Sequence, residues 1–296
     1  MRQRMYGLRH GARRCPRLEF QMKRTILRIP VASISRERMS PGMDPRFVNK
    51  PEVVVSRMYR LLSRRWGPQH WWPAETPFEV IVGAILTQNT SWTNVEHALN
   101  KLRQANALSV RAIRALPLAE LEQLVRSSGY YRQKASRLKG FVTFLDEKYG
   151  GSLKKLFSLP TEGLRSQLLS LKGIGQETAD AILLYAGKHE IFVVDAYARR
   201  VLERHRLVDP GAKYDEIRDL VERALRLERP VKRRTGGQKL QTILVHEPSP
   251  MSQLQGTALA QIYNEMHGLL VQVGKHYCYK TNPDCQNCLL RSLLPE

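Results

Sequence analysis

The residues best equipped for chemistry lie between Leu171 and Leu202. In Leu171-Lys172-Gly173-Ile174-Gly175-Gln176-Glu177, two glycines flank one apolar residue at the entrance to a helix. Glycine allows a tight turn and a close approach of two backbones. The amides after Gly175 are the free donors of a helix N-terminus, which attract phosphate. The segment from Thr161 to Leu171 also has helical character, so the stretch reads as a helix-hairpin-helix. Eighteen residues after Glu177, Asp195 closes the apolar run Phe192-Val193-Val194. There it can cap the following helix or serve as a fixed carboxylate, and the two roles are compatible. A second constellation is Cys278, Cys285 and Cys288, spaced Cys-x6-Cys-x2-Cys. Three of the four cysteines crowd the last twenty residues, which reads as a metal or cluster site rather than a disulfide framework.

Charge points to a polyanionic partner. The 296 residues carry a formal net charge of +21, a field that favours nucleic acid. No apolar run is long enough for a transmembrane helix, and no membrane partner is expected. The first 42 residues hold eleven Lys/Arg and two Glu, a net +9 that leaves +12 for the remainder. Three readings of this extension stay open: a start at Met39 or Met43, a basic arm along DNA phosphates, or a transit peptide. Cys15, within it, reads as inert.

Leu-Lys-Gly-Ile-Gly followed by Val-Asp resembles the helix-hairpin-helix and downstream Asp of the endonuclease III superfamily of DNA glycosylases, over roughly Pro51 to Cys288. The resemblance implies an all-α fold of two helical lobes with a DNA cleft between them. It implies base-excision repair of damaged duplex DNA by a monomer in the cytoplasm, at the nucleoid. Asp195 becomes the catalytic carboxylate that stabilises positive charge on the sugar and deprotonates water. In bifunctional relatives a lysine two residues after the second hairpin glycine forms a Schiff base. Here that position is Glu177, and a carboxylate cannot form the imine. A monofunctional glycosylase follows, with Glu177 as a salt-bridge partner, a pocket wall or a solvated residue. A lyase with another nucleophile is the alternative. A non-catalytic helix-hairpin-helix binding module is another, although it would need no Asp195.

The same resemblance gives roles to residues further upstream. Trp71-Trp72 before Pro73 is similar to the pocket of the 3-methyladenine glycosylases, where aromatic rings stack on an extruded base and favour a cationic methylated purine. The competing reading is that both rings close the core. Leu86-Thr87-Gln88-Asn89-Thr90 resembles the family turn whose Gln enters the duplex, with Trp92 as packing residue or pocket wall. Gly129-Tyr130-Tyr131-Arg132-Gln133-Lys134-Ala135 resembles a turn that approaches DNA, making Tyr130, Tyr131, Arg132 and Lys134 phosphate candidates. Gly173, Ile174, Gly175, Gln176, Arg199 and Arg200 are expected on DNA too. The three cysteines match the first three ligands of the family's [4Fe–4S] loop, with Leu294 at the fourth position. A cluster, one completed by a foreign ligand such as His276, a zinc ion or no metal all remain open.

Positioning elements are read from periodicity and breakers. Val53–Trp66 is a helix with Val54, Met58, Leu61 and Leu62 inward, stopped by Gly67-Pro68. Thr76 caps a helix begun by Pro77, with Phe78, Ile81, Val82 and Ile85 facing the core. Short helices fill Asn94–Tyr149, broken near Asn106, Pro117 and Gly129, and Tyr263–Gly274 is a further helix. Residues 229–256, rich in Pro, Gly and basic residues around Lys232, read as a flexible insertion. The expected domains are therefore an extension over 1–50, a glycosylase domain over 51–275 and a Cys-rich loop over 276–296.

Overall fold

The structure, a computed structural model, describes residues 50–230, 247–254 and 256–295. The basic extension with Cys15 and the cluster around Lys232 lie outside the described residues. The regular structure of the described residues is all-helical, as expected, with no strand among them.

One group of helices surrounds α2 (Pro77–Leu86): α3 (Trp92–Gln104), α4 (Val110–Ala115), α5 (Leu118–Leu124), α6 (Tyr131–Tyr149), α7 (Leu153–Phe157), α8 (Thr161–Leu169) and α9 (Gln176–Ala181), which runs on as a π turn (Ile182–Ala186). The Thr76 hydroxyl accepts from the amide of Glu79 at 3.2 Å, and Pro77 supplies the first helical residue. The sequence expectation of one inward face on α2 is too modest, since every residue from Phe78 to Leu86 is buried. A short helix without a polar face belongs at the centre of its lobe. Its one acid, Glu79, is paired with Arg103 of α3 and accepts from the amide of Glu75.

The second group joins the two ends of the chain. α1 (Pro51–Trp66) packs on α11 (Tyr214–Leu225) and on α13 (Ala258–His276), which also packs on α10 (Ala196–Arg204). Trp66 of α1 stacks on Tyr277 just beyond α13, at 6.2 Å and 11°. Buried extended residues Ile191–Val194 lead from the hairpin lobe to α10. Their amides are satisfied across the seam: Phe192 donates to Glu222 at 2.8 Å and Val194 to the Tyr214 hydroxyl at 3.2 Å.

Part of the expected flexible insertion is built structure. Ser249 caps a four-residue helix, α12 (Pro250–Gln253). The Ser249 hydroxyl donates to the Trp72 carbonyl at 3.1 Å and accepts from the amide of Ala74 at 3.2 Å. Lys188 donates to the Met251 carbonyl at 2.7 Å. The turn chemistry that suggested a loop serves here to cap and dock a short helix. Among the described residues no helix is long and apolar enough to cross a membrane.

Candidate functional site

Asp195 is the N-cap of α10, as the apolar run before it suggested. Its Oδ1 accepts from the amide of Ala198 at 2.7 Å. Its Oδ2 faces Nε2 of His267 at 3.6 Å, within ion-pair reach but beyond a hydrogen bond. The His267 Nδ1 in turn meets the Tyr185 hydroxyl at 2.6 Å. Burial favours protonation of Asp195, but His267 and the amides of Ala198 and Tyr197 outweigh it and hold the carboxyl below its ordinary range. Tyr185 is pushed the other way, by burial and by Asp195, so it stays a neutral phenol. Tyr185 comes from the π turn, Asp195 from α10 and His267 from α13, so three elements of both lobes fasten one ionised carboxylate. Sequence reading missed Tyr185 and His267, and the one available hint was an ionisable residue in the otherwise apolar stretch of α13.

Glu177 lies in the first turn of α9, open to solvent. Surrounding protein nevertheless raises its pKa to about 7, with Asp195 adding to the effect and His267 opposing it. The carboxyls of Glu177 and Asp195 thus influence one another and have opposite tendencies, one drawn toward the acid and one held as the anion.

Trp71 and Trp72 are both buried, as the reading that they close the core expects. Their rings pack edge to face at 5.5 Å, and Trp72 meets Trp92 at 5.1 Å and Tyr185 at 5.2 Å. Trp71 lies 6.2 Å from the His267 ring. The tryptophans therefore belong to the core next to His267, and Trp92 packs against both of them. Two glycines permit this packing. A Cβ on Gly83 of α2 would stand 3.1 Å from the Trp72 ring, and one on Gly268 of α13 would stand 3.0 Å from Gln69. Lys275, on the last turn of α13, sets its ammonium 5.9 Å above the Trp71 ring.

Gly173 sits at the hairpin turn with φ +83°, and a Cβ there would lie 2.1 Å from Arg137 Nε. This position needs glycine for conformation and for space alike. Ile174 is buried, whereas Gly175 is exposed and caps α9 with no side chain, leaving the first amides for a ligand. Gln176 donates to Asp215 at 2.7 Å, which ties the hairpin to α11. Arg165 strengthens that tie by bridging Asp180 at 2.7 Å and Asp215 at 2.8 Å. Gln88 is brought to the same hairpin. Its amide donates to the Gly173 carbonyl at 3.0 Å and to the Thr178 hydroxyl at 2.9 Å, and accepts from Arg137. Asn89, at φ 52°, turns the chain beyond it, a conformation Asn tolerates better than most residues.

The basic candidates divide. Tyr131 is partly exposed, with the guanidinium groups of Arg126 and Arg132 at 6.0 and 5.8 Å from its ring, and Tyr130 is 66 % exposed. Lys134 corrects the expectation of a phosphate contact. It is 1 % exposed, and its ammonium donates to the carbonyls of Leu86 at 2.9 Å and Ser128 at 2.6 Å. A buried lysine answers the free carbonyls at the end of α2 and of the turn before α6. Arg199 donates to the Ala212 carbonyl at 2.8 Å and pairs with Glu203 at 3.4 Å. Arg200 donates to the Cys278 carbonyl at 2.7 Å and to Gly274 at 3.2 Å.

Cys278, Cys285 and Cys288 are free thiols lining one pocket, together with Leu294, Leu290, Arg204 and His205. Arg204 Nη1 lies 2.9 Å from Cys278 Sγ. Burial pushes the Cys288 thiol up to about 11, the neighbouring thiols adding to it. Leu294, at the fourth ligand position, fills the same pocket with an apolar side chain. The donor set is therefore one thiolate short of a four-cysteine iron–sulfur site. His276, offered from sequence as a foreign ligand, does not line this pocket; His205 does, with Nδ1 3.1 Å from the Leu293 carbonyl. What the loop does supply is bracing, through Arg200 and Arg204 of α10.

Comparison with known proteins agrees with this geometry. Residues 82–226 match the family model described as HhH-GPD superfamily base excision DNA repair protein. The chain is 39% identical over 244 residues to "Putative DNA repair glycosylase MJ1434" of Methanocaldococcus jannaschii, covering 82% of this chain and 96% of that protein. It is 25% identical over 240 residues to endonuclease III of Thermotoga maritima, covering 81% and 91%. Among solved structures, the H. pylori 3-methyladenine DNA glycosylase MagIII bound to 1,N6-ethenoadenine superposes with a TM-score of 0.58 at 27% identity, over 76% of this chain and 97% of that one. A trapped endonuclease III–DNA covalent intermediate gives the same TM-score at 20% identity, over 81% and 92%, a likeness of fold.

Proposed function

Because the chain belongs to the HhH-GPD superfamily of base excision DNA repair proteins, we propose that it is a DNA glycosylase that extrudes a damaged base from duplex DNA and hydrolyses its N-glycosidic bond. The observation that carries this reading is the ionised Asp195, fastened by His267 beside the tryptophan wall. Breaking the C1′–N bond sends its electron pair to the base and leaves positive charge on the sugar. A carboxylate held as the anion in a largely desolvated corner stabilises that charge. It then accepts a proton from the water that adds to C1′. Products are an abasic site and the free base.

Water is the proposed nucleophile because Glu177 stands where bifunctional relatives carry an amine. Its carboxyl cannot form an imine with the sugar. The hairpin amides after Gly175 and the exposed Tyr130 and Tyr131 turn, with Arg126 and Arg132, support a reading as phosphate contacts on either side of Gln88. Gln88 is the residue proposed to fill the vacated stack, acting as one chain on one duplex. No step runs through the cysteine loop.

Asp195→Asn tests the proposal. Base release should fall by about 10²-fold or more, while duplex affinity is kept or improved by the loss of a negative charge. Undiminished release by the variant removes Asp195 from the mechanism. Strand scission without alkali, with a borohydride-trapped protein–DNA adduct, would replace hydrolysis by lyase chemistry.

A further inference from the structure

The glycosylase reading leaves open which bases are released, and Lys275 bears on it. Its ammonium hovers over the Trp71 ring at 5.9 Å, the position that a cationic base would take in an aromatic sandwich. Partial burial lowers its pKa from the ordinary lysine value, and the carboxylates of Asp195 and Glu96 oppose that by favouring the charged form. Among the described residues it makes no hydrogen bond and no ion pair with protein, so its three N–H donors are open to a ligand. Trp71 itself adjoins His267, whose imidazole faces Asp195. A positive charge with unused donors therefore stands at the edge of the corner where the glycosidic bond would break.

The chemistry of departure differs between base classes. A neutral base leaves with both electrons of the C1′–N bond and is an anion at that moment, its charge spread over ring nitrogens and any carbonyl oxygens. It ends as the neutral free base after taking up one proton, the sugar having gained the hydroxyl of the attacking water. A base already made cationic by alkylation leaves neutral and needs no such help. A nearby ammonium stabilises the first departure and repels the second base before it arrives. Resting on the glycosylase reading, we propose that Lys275 is a specificity-determining residue that selects neutral damaged bases, which depart as anions, over cationic N-alkylated purines. The aromatic wall alone favoured the cationic class; the occupied face of Trp71 reverses that preference.

The test compares single-turnover release from otherwise identical duplexes carrying uracil or 1,N6-ethenoadenine, both neutral, and 7-methylguanine, which is cationic. Each rate is divided by the spontaneous rate of the same duplex. The wild-type chain should accelerate release of at least one neutral base tenfold or more over 7-methylguanine. Lys275→Met should lower that acceleration by at least tenfold and leave 7-methylguanine release unchanged or raised, whereas Lys275→Arg should keep the wild-type order. A wild-type preference for 7-methylguanine overturns the proposal without any variant. So does an equal loss on all bases in a Lys275→Met chain that retains its unfolding temperature. Release of none of the bases, with duplex binding intact, instead defeats the glycosylase reading beneath it.

Discussion

With its pKa raised to about 7, Glu177 is divided between acid and anion at neutral pH, whereas Asp195 is held ionised well below that range. Ionisation of Glu177 adds negative charge to a site that must stabilise a sugar cation. Base release should therefore rise as pH climbs through about 7, by a few-fold, and DNA phosphates closing over the cleft would move the inflection upward. Glu177→Gln should flatten this rise and run at the low-pH plateau. A profile that keeps the inflection in the variant would assign it elsewhere. Asp195 and Glu177 were legible in the sequence because both are fixed by spacing from one hairpin. Tyr185, His267 and Lys275 were not, because tertiary packing brings them in from the π turn and from α13. Lys134 was misread for a related reason: a motif gives the position of an amine but not the direction in which it points.

Among elements, α13 does the most to shape the corner. It presents His267 to Asp195, lays Gly268 under Gln69, and fixes the entry to the tryptophan pair through Glu265, which accepts from the amide of Gln69 at 2.9 Å. Burial raises Glu265 to about 7, the Gln69 amide opposing. The folded state thus holds this proton more tightly than the unfolded chain does. Its stability falls as pH rises from about 4.5 through about 7 and stays lower above it. Glu265→Gln keeps an acceptor and abolishes the charge. It should be more stable than the wild type at pH 8 by about 1–3 kcal/mol, with the difference vanishing below about pH 4. Urea unfolding at the two pH values measures it, and a gap independent of pH would refute the assignment. Helix boundaries were mostly legible, since caps such as Thr76 and stops such as Gly67 act locally. α12 was not, because Ser249 is recognisable as a cap only once Trp72 and Ala74 are beside it.

Over the whole molecule, the net charge of +21 acts as a field rather than through individual contacts. Several cations that looked available from sequence, Lys134, Arg199 and Arg200, are engaged within the protein. The phosphate-neutralising charge must lie elsewhere on the surface. Duplex affinity should fall with salt on a log–log slope of about −4 or steeper, equivalent to roughly five phosphates. A chain beginning at Met43, lacking the first 42 residues and their net +9, should show a shallower slope and undiminished release from a saturating duplex. Equal slopes for the two chains would exclude the extension from DNA contact. Individual helices were legible from periodicity, and the two-lobed all-α fold from the resemblance that the hairpin carries. The seam between lobes was not, because it is made by pairs such as Phe192 with Glu222 and Gln176 with Asp215 that lie far apart in sequence.

The bracing of Asp195 by His267 also has a meaning in time. During synthesis the tryptophans, the hairpin and Asp195 are all made before residue 200, whereas His267 and Lys275 arrive near the end. A nascent or prematurely terminated chain can carry the hairpin and Asp195 while that carboxylate still lacks the imidazole facing it. Under the proposed function, the order of translation withholds base release until the last long helix has docked.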